Sequence, residues 1–311
     1  MGDEMLPTAA QELAQQLSFE PVEECAVCGG REFAPAYQRR FLEADFHWTR
    51  CRNCRLLFQN PRPSRASLAA IYNSEFYWQG DQRSAEGARM GYKSYEKDDV
   101  QRLELGRQRM ELLRQHLPQG AHLLDIGCAT GFFLKNAQDV GMTGLGVELS
   151  EDMARYGRET YGVDVRATDF EELPLDPASF DAVAFWGCDS NFADPRGLFQ
   201  RIHEVLKPGG YVYFNFWDFD HPLRPILLGD NKILYNSLFC FNKKNMAMLL
   251  ERTGFEIISL KGEWRRATVD SVLAWTGHHR LLALTRKLGL SNLPIWLPAL
   301  TGYIVLAQKK G

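Results

Sequence analysis

The chain has 311 residues, 45% of them apolar and 24% charged, with seven cysteines and a formal net charge of −3. That composition sustains a sizeable core in one large domain or two smaller ones. The negative balance argues against a molecule that is, as a whole, a nucleic-acid binder. Glu4 and Glu12, with no apolar run between them, leave no secretory signal at the N-terminus. The longest uncharged run, Leu288 to Gln308, is interrupted by Asn292, Pro294, Pro298 and Gly302. It reads as core ending in a strand, not as a membrane span, and a soluble cytoplasmic protein is the expectation.

In chain order, residues 1–20 form an N-terminal arm carrying Leu6, Leu13 and Leu17 at loosely helical spacing. Residues 21–65 hold Cys25-Ala-Val-Cys28 and Cys51-Arg-Asn-Cys54. Two such knuckles let Cys25, Cys28, Cys51 and Cys54 converge as thiolates on one tetrahedral Zn²⁺. Four sulfurs leave no open position for water, so the metal is expected to be structural. The same stretch contains eight Arg, no Lys and five acids, either a solvated face or a surface for a polyanion. Residues 66–118 read as a helical linker: Ile71-Tyr-Asn-Ser-Glu-Phe-Tyr-Trp78 is dense in aromatics, and Val100 to Leu117 is amphipathic. Placed ahead of the next domain, Tyr72, Phe76, Tyr77 and Trp78 suit either core or a lid.

From residue 119 to 311, apolar runs alternate with amphipathic helices, the pattern of an α/β fold with a mostly parallel sheet covered on both faces. Strands are expected at 122–126, 144–148, 163–167, 182–185, 211–216, 256–260 and 303–308, seven in all. Lys207-Pro-Gly-Gly210 reads as a turn, and Gly254 as the stop of a helix ending at Glu251-Arg-Thr. Residues 221–241 form a long insertion behind the fifth strand, where α/β enzymes place substrate contacts.

The chain turns on His122-Leu-Leu-Asp-Ile-Gly-Cys-Ala-Thr-Gly131: a buried strand, a glycine turn at Gly127 and Gly131, and a helix. Asp125 before the glycines would repel a pyrophosphate but could hold an ammonium group, and no P-loop Lys follows. Glu148 closes the next strand where ribose hydroxyls would lie. The stretch resembles the first motif of the class I S-adenosylmethionine-dependent methyltransferases, with Ala129 in place of their middle glycine. The resemblance implies a Rossmann-like sheet and a cofactor site in which Gly127, Cys128 and Gly131 line the methionine end. Asp125 stands beneath that turn, Glu148 takes the ribose, and Leu149 packs on adenine. Asp169 and Phe170 read the adenine edge, and Trp186 sits near the sulfonium.

The pairing of the two knuckles with Leu56-Leu-Phe-Gln-Asn-Pro-Arg-Pro63 and this motif is similar to bacterial zinc-ribbon methyltransferases of polysaccharide, lipid and natural-product pathways. Where that family commonly has Trp-Asp-x-x-Glu-His, this chain has Trp186-Gly-Cys-Asp-Ser-Asn191, so the usual base is missing. A second landmark, His-Leu-x-x-Phe, appears as Ser237-Leu-Phe-Cys-Phe241, also without its histidine. His221, Asp189 and Tyr77 are the remaining catalytic candidates, with His221 the group that titrates near neutrality. His203 reads as structural, and the adjacent His278 and His279 make a poor metal pair. Three functions compete: a methyltransferase acting on a small sugar, lipid or secondary-metabolite acceptor, a zinc-ribbon RNA methyltransferase, and a cofactor-binding scaffold without turnover. A homodimer is compatible with each.

Overall fold

A computed structural model describes residues 8–41, 44–74, 77–78, 99–222, 237–270, 273, 279–291 and 293–311. Phe76, His278 and most of the 221–241 insertion lie outside the described residues.

The N-terminal part comprises α1 (Thr8–Gln15), β1 (Phe19–Glu20), β2 (Phe33–Phe41), β3 (Ala44–Cys51), β4 (Leu57–Gln59), β5 (Arg62–Pro63) and α2 (Arg65–Asn73). Ser64 caps α2 by accepting the Ser67 N–H. There follow α3 (Asp99–Leu113), β6 (His122–Ile126), α4 (Phe132–Asp139), β7 (Thr143–Glu148), α5 (Glu151–Tyr156), β8 (Asp164–Ala167), β9 (Phe180–Phe185), α6 (Pro195–Val205) and β10 (Leu206–Trp217). The chain closes with β11 (Phe239–Cys240), α7 (Lys243–Arg252), β12 (Phe255–Thr268), α8 (His279–Lys287) and β13 (Pro294–Lys309).

Seven strands form one sheet in the order β12-β13-β10-β9-β6-β7-β8. The pairs among β10, β9, β6, β7 and β8 are parallel, and β13 runs antiparallel between β10 and β12. This is the expected Rossmann-like sheet. The chain winds outward from β6 to β8, then crosses to β9 on the other side of β6. The strand order therefore reverses between β6 and β9, which opens a crevice at their carboxyl ends.

Each sheet face is covered because successive side chains alternate. Leu123, Ala182, Ala184 and Tyr213 meet Met110 and Leu113 of α3 and Phe133 and Ala137 of α4. Leu124, Ile126, Val183, Phe185, Val212 and Phe214 meet Leu198, Phe199 and Ile202 of α6 and Leu249 and Leu250 of α7. That second core continues without a break into Phe46, Trp48 and Phe58 of the N-terminal sheet.

The N-terminal sheet has four strands, β11-β4-β3-β2, and its outermost strand comes from residues 239–240. Phe239 stacks on Phe58 with ring centroids 6.2 Å apart. The Ser237–Phe241 landmark thus completes the ribbon sheet. The same segment is held to this sheet by a side chain, the Trp48 indole donating to the Ser237 carbonyl at 2.9 Å.

Two strands run longer than the sequence pattern indicates. β12 and β13 extend past the end of β10, with Trp264 to Thr268 paired to Pro298 to Pro294. In the sequence Pro294 and Pro298 read as interruptions. Here β13 has only β12 as a neighbour, because its pairing with β10 ends at Gly302, and a one-sided strand tolerates a missing N–H. Lys207 to Gly210, expected as a turn, lies within β10 as a register irregularity, with Gly209 at φ +72°.

Behind the α3-covered face lies a buried ion pair between Arg109 and Glu263, both almost fully out of solvent. The Arg109 guanidinium also lies 4.1 Å over the Trp186 ring. Removing one partner of such a pair leaves a buried charge uncompensated. Arg109→Met should therefore lower unfolding free energy by about 3–5 kcal/mol in chemical denaturation. A loss under about 1 kcal/mol, the worth of an ordinary surface pair, would show that Glu263 is satisfied without it.

Candidate active site

Three strand-to-helix turns meet at the β6/β9 crevice. In the first, Gly127 (φ +66°), Ala129 (φ +48°) and Gly131 (φ +74°) all take left-handed backbone. For Ala129 that conformation costs about 1–2 kcal/mol. Its N–H is held at 2.9 Å by Glu148 Oε2 from the end of β7. Glu148 Oε1 accepts the Ser150 N–H, also at 2.9 Å, at the start of α5. One buried carboxylate therefore ties the first turn to the second. Burial pushes its pKa up, against the backbone N–H groups of Ser150, Ala129 and Leu149.

The third turn follows β9. The Gly187 N–H donates to the buried Asn215 side chain at 2.8 Å, which fixes the exit of the strand. Beyond it, the Ser190 carbonyl accepts N–H groups from Leu238 at 2.8 Å and Phe239 at 3.2 Å. The loop after β9 is thus bonded to the strand that completes the ribbon sheet.

Together these turns line a cavity of about 150 Å³. Of the cofactor residues expected from the sequence, Gly127, Glu148, Leu149, Asp169, Phe170 and Trp186 are on its wall. Asp125, Cys128 and Gly131 are not. A Cβ on Gly131 would come within 2.8 Å of Val163 Cγ2, so this glycine faces the core and serves the turn. The Cys128 side chain packs with Leu134, Ala154, Val163 and Val165. Asp125 is 1% exposed, and neither of its carboxylate oxygens has a hydrogen-bond partner. Burial raises its pKa well above the usual carboxylate range, an effect only partly offset by the Arg109 charge. An orphaned carboxylate beneath a glycine turn fits a site that receives a cationic or hydrogen-donating ligand group.

The opposite wall comes from the chain ahead of the first strand. Leu68, Ala69 and Tyr72 of α2, with Tyr77 and Trp78, close over the crevice. Tyr77 is packed edge-on against both neighbours, at 5.0 Å from Tyr72 and 4.9 Å from Trp78. Arg65, at the start of α2, is ion-paired to Glu171 and lies 3.8 Å from Asp169. Asp169 also accepts the Glu171 N–H at 3.0 Å. Of the catalytic candidates, only Tyr77 is on the wall. Asp189 is buried beside it, between Cys188 and Asn191, which are wall residues. Burial raises the Asp189 pKa to about 7, against the pull of its own and the Ser190 backbone N–H. His221 is half-buried with its N–H on the Asp218 carbonyl, and it does not line the cavity.

Arg65, Thr168, Asn191, Phe192 and Ala193 also line the cavity and were not singled out in the sequence. Thr168 adjoins Asp169, and Asn191 to Ala193 lie in the stretch where the motif departs from the resembled family, so a signal existed for these. Arg65 carried none.

The four knuckle cysteines form a second cluster, their Sγ atoms all within 4.8 Å of one another. Cys25 and Cys54 are 3.5 Å apart, as are Cys28 and Cys51, and none is in a disulfide. The Cys25 pKa falls to about 5, chiefly through the hydrogen bond from Cys54 and despite burial. This set has the donor chemistry and spacing of a tetrahedral thiolate site. Its first knuckle is clamped by α6: Arg196 donates to the carbonyls of Ala26 at 2.8 Å and Cys25 at 3.0 Å. Arg62 of β5 donates to the carbonyl of Ala193 on the cavity wall.

Residues 97–260 match the family model described as a methyltransferase domain. A malonyl-[acyl-carrier protein] O-methyltransferase of Erwinia pyrifoliae is 37% identical over 124 residues, 37% of this chain and 45% of that protein. A ubiquinone biosynthesis O-methyltransferase of Xanthomonas axonopodis pv. citri is 28% identical over 114 residues, covering 34% and 48%. The chain spans about half the length of the curated relatives it matches. Among solved structures, an S-adenosylmethionine-dependent methyltransferase of Mesorhizobium loti superposes with a TM-score of 0.45 at 21% identity, covering 67% of this chain and all of that one. The chain belongs to the methyltransferase domain family, and its matched region is an S-adenosylmethionine-dependent methyltransferase domain.

Proposed function

We propose that the protein transfers a methyl group from S-adenosylmethionine to the oxygen of a small-molecule acceptor, with a four-cysteine zinc ribbon as a structural part of the same unit. The observation that carries this reading is the single cavity shared by the Gly127 turn, Glu148 and the aromatic cover Tyr72, Tyr77 and Trp78. The names of the O-methyltransferases among its relatives agree with an oxygen acceptor.

When bound, the cofactor supplies an electrophilic methyl group on a sulfonium. Glu148 keeps lone pairs beyond its backbone partners and would accept the ribose hydroxyls. Leu149 and Phe170 would flank adenine, with Asp169 at its amino edge. Tyr72, Tyr77 and Trp78 would exclude water from a displacement in which charge disperses. Asp189 would take the proton from the acceptor hydroxyl, its burial having raised the pKa into the range a general base needs.

An RNA acceptor has less support. Among the described residues, ion pairs join Arg31 to Glu24, Arg50 to Asp220, Arg62 to Glu20 and Arg65 to Glu171. Arg50, Arg62 and Arg65 are thereby engaged within the protein.

Glu148→Ala should weaken S-adenosylmethionine binding in calorimetry by about 1.5–3 kcal/mol, the range for a charged hydrogen bond. Unchanged affinity would remove Glu148 from the site. Methyl transfer to extracted small molecules, followed with labelled cofactor, should rise with pH through about 7 as Asp189 ionises. Asp189→Asn should abolish that rise and slow transfer by about 10²–10⁴-fold. A variant with the parent pH profile would place the base elsewhere. A wild-type protein that binds cofactor but modifies nothing would favour the scaffold reading. The purified chain should carry about one zinc per molecule. Because Arg196 and Arg62 join the knuckle side to the cavity wall, chelation should lower melting temperature and cofactor affinity together. Metal loss that left affinity intact would separate ribbon from site.

A further inference from the structure

Two carboxylates are buried where the turn after β6 meets the end of β7, and they are not equivalent. Glu148 accepts the N–H groups of Ala129 and Ser150. Asp125 is 1% exposed, and neither of its oxygens has a hydrogen-bond partner among the described residues. In a dry site, an ionised carboxylate with no donor is far costlier than one that receives two. The negative charge therefore settles on Glu148, and its field adds to burial in keeping the proton on Asp125.

The neighbouring groups leave that inequality in place. From α3, the Arg109 charge only partly offsets the burial of Asp125, and its guanidinium is bound to Glu263 of β12 and lies over the Trp186 ring. From α4, Lys135 and Asp139 pair with each other. Cys128 in the same turn and Cys188 after β9 are thiols whose pKa burial raises well above the usual range, so neither brings charge. Burial likewise keeps the Tyr213 hydroxyl of β10 neutral.

Asp125 also stands at the edge of the cavity. Ile126 and Gly127, which follow it, are on the wall, as is Trp186. Strand register sets Asp125, Ala184 and Tyr213 in one row across β6, β9 and β10, with the small alanine in the middle. The Tyr213 hydroxyl and the Trp186 Nε1 are buried without partners as well, and their rings are 5.0 Å apart. Unsatisfied polar atoms thus collect on one face of the sheet beside the cavity, where a polar ligand end would complete them.

We propose that Asp125 is a proton-coupled receptor for the cofactor's α-ammonium group, neutral in the free protein and losing its proton to solvent as that cation docks. The inference rests on the reading of the cavity as the S-adenosylmethionine site. The exchange balances: one proton leaves the buried carboxyl as one ammonium takes its place, so the site gains no net charge. Proton and ammonium compete, and the consequence has a definite sign. Below the free-protein pKa of Asp125, affinity falls by up to about tenfold for each pH unit. Above it the release stops, and affinity holds until the cofactor's own ammonium deprotonates, at about 7.7–8.0 for an ordinary α-amino group.

Calorimetry of the full chain near pH 6, in two buffers of different ionisation enthalpy, counts the protons released on binding. S-adenosylhomocysteine carries the ammonium without a sulfonium charge that would act on Asp189. Methylthioadenosine brings the same ribose to Glu148 but has no amino-acid end. S-adenosylhomocysteine should release about half a proton or more beyond what methylthioadenosine releases, and only its affinity should rise between about pH 6 and 7. Asp125→Asn, close in shape to the protonated carboxyl, should erase both differences. Equal release by the two ligands in the wild-type protein, which needs no variant, would overturn the proposal and leave the cofactor site standing. A difference that persisted in a folded Asp125→Asn protein would overturn it too. If neither ligand bound the wild-type protein, the cofactor reading would fall and the proposal with it.

Discussion

The buried carboxylate of Glu148 holds the site together. It stands at the end of β7 and receives one N–H from the turn after β6 and another from the start of α5. Each bond is charge-assisted, worth about 1.5–3 kcal/mol. The first keeps Ala129 in a left-handed conformation that an alanine resists. The substitution of alanine for glycine in the motif is therefore tolerated because a neighbouring strand supplies the restraint that glycine would not need. Preformed turns of this kind spare a ligand the cost of ordering them.

A second constraint joins what looks in the sequence like two modules. The ribbon is distant in sequence from the glycine turn, yet its sheet is completed by β11, and β11 is bonded to Ser190 in the loop after β9. Arg196 adds a link from the N-terminus of α6 to the first cysteine knuckle. One continuous apolar core runs beneath both. The cavity wall at Asn191 to Ala193 thus rests on the ribbon as much as on the parallel sheet.

Much of this was legible from residues alone. The seven strands follow from apolar runs of the right length, and the knuckles from their spacing, because both signals are local. What was hidden depends on partners far along the chain. Gly131 reads as a ligand-lining glycine until Val163 is seen against it. Pro294 and Pro298 read as breaks until β13 is found to be paired on one side only at those positions. Arg65 reads as one more surface cation until α2 brings it to Glu171 and Asp169. Periodicity reports which face of an element is apolar, not which element will meet it.

Partners far along the chain also bear on the missing histidine. In the resembled family, the positions of Ser190 and Asn191 carry Glu and His. Here the Ser190 hydroxyl donates to the Asn191 side chain at 3.0 Å, and its carbonyl holds the ribbon strand. These two positions serve the architecture of the loop. Asp189 is the buried carboxylate of that loop, and burial brings its pKa to about 7. A histidine titrates near neutrality in water, whereas an aspartate does so only where water is kept out. Under the proposed function, the aromatic cover that excludes water and the burial that raises the Asp189 pKa would serve one chemistry.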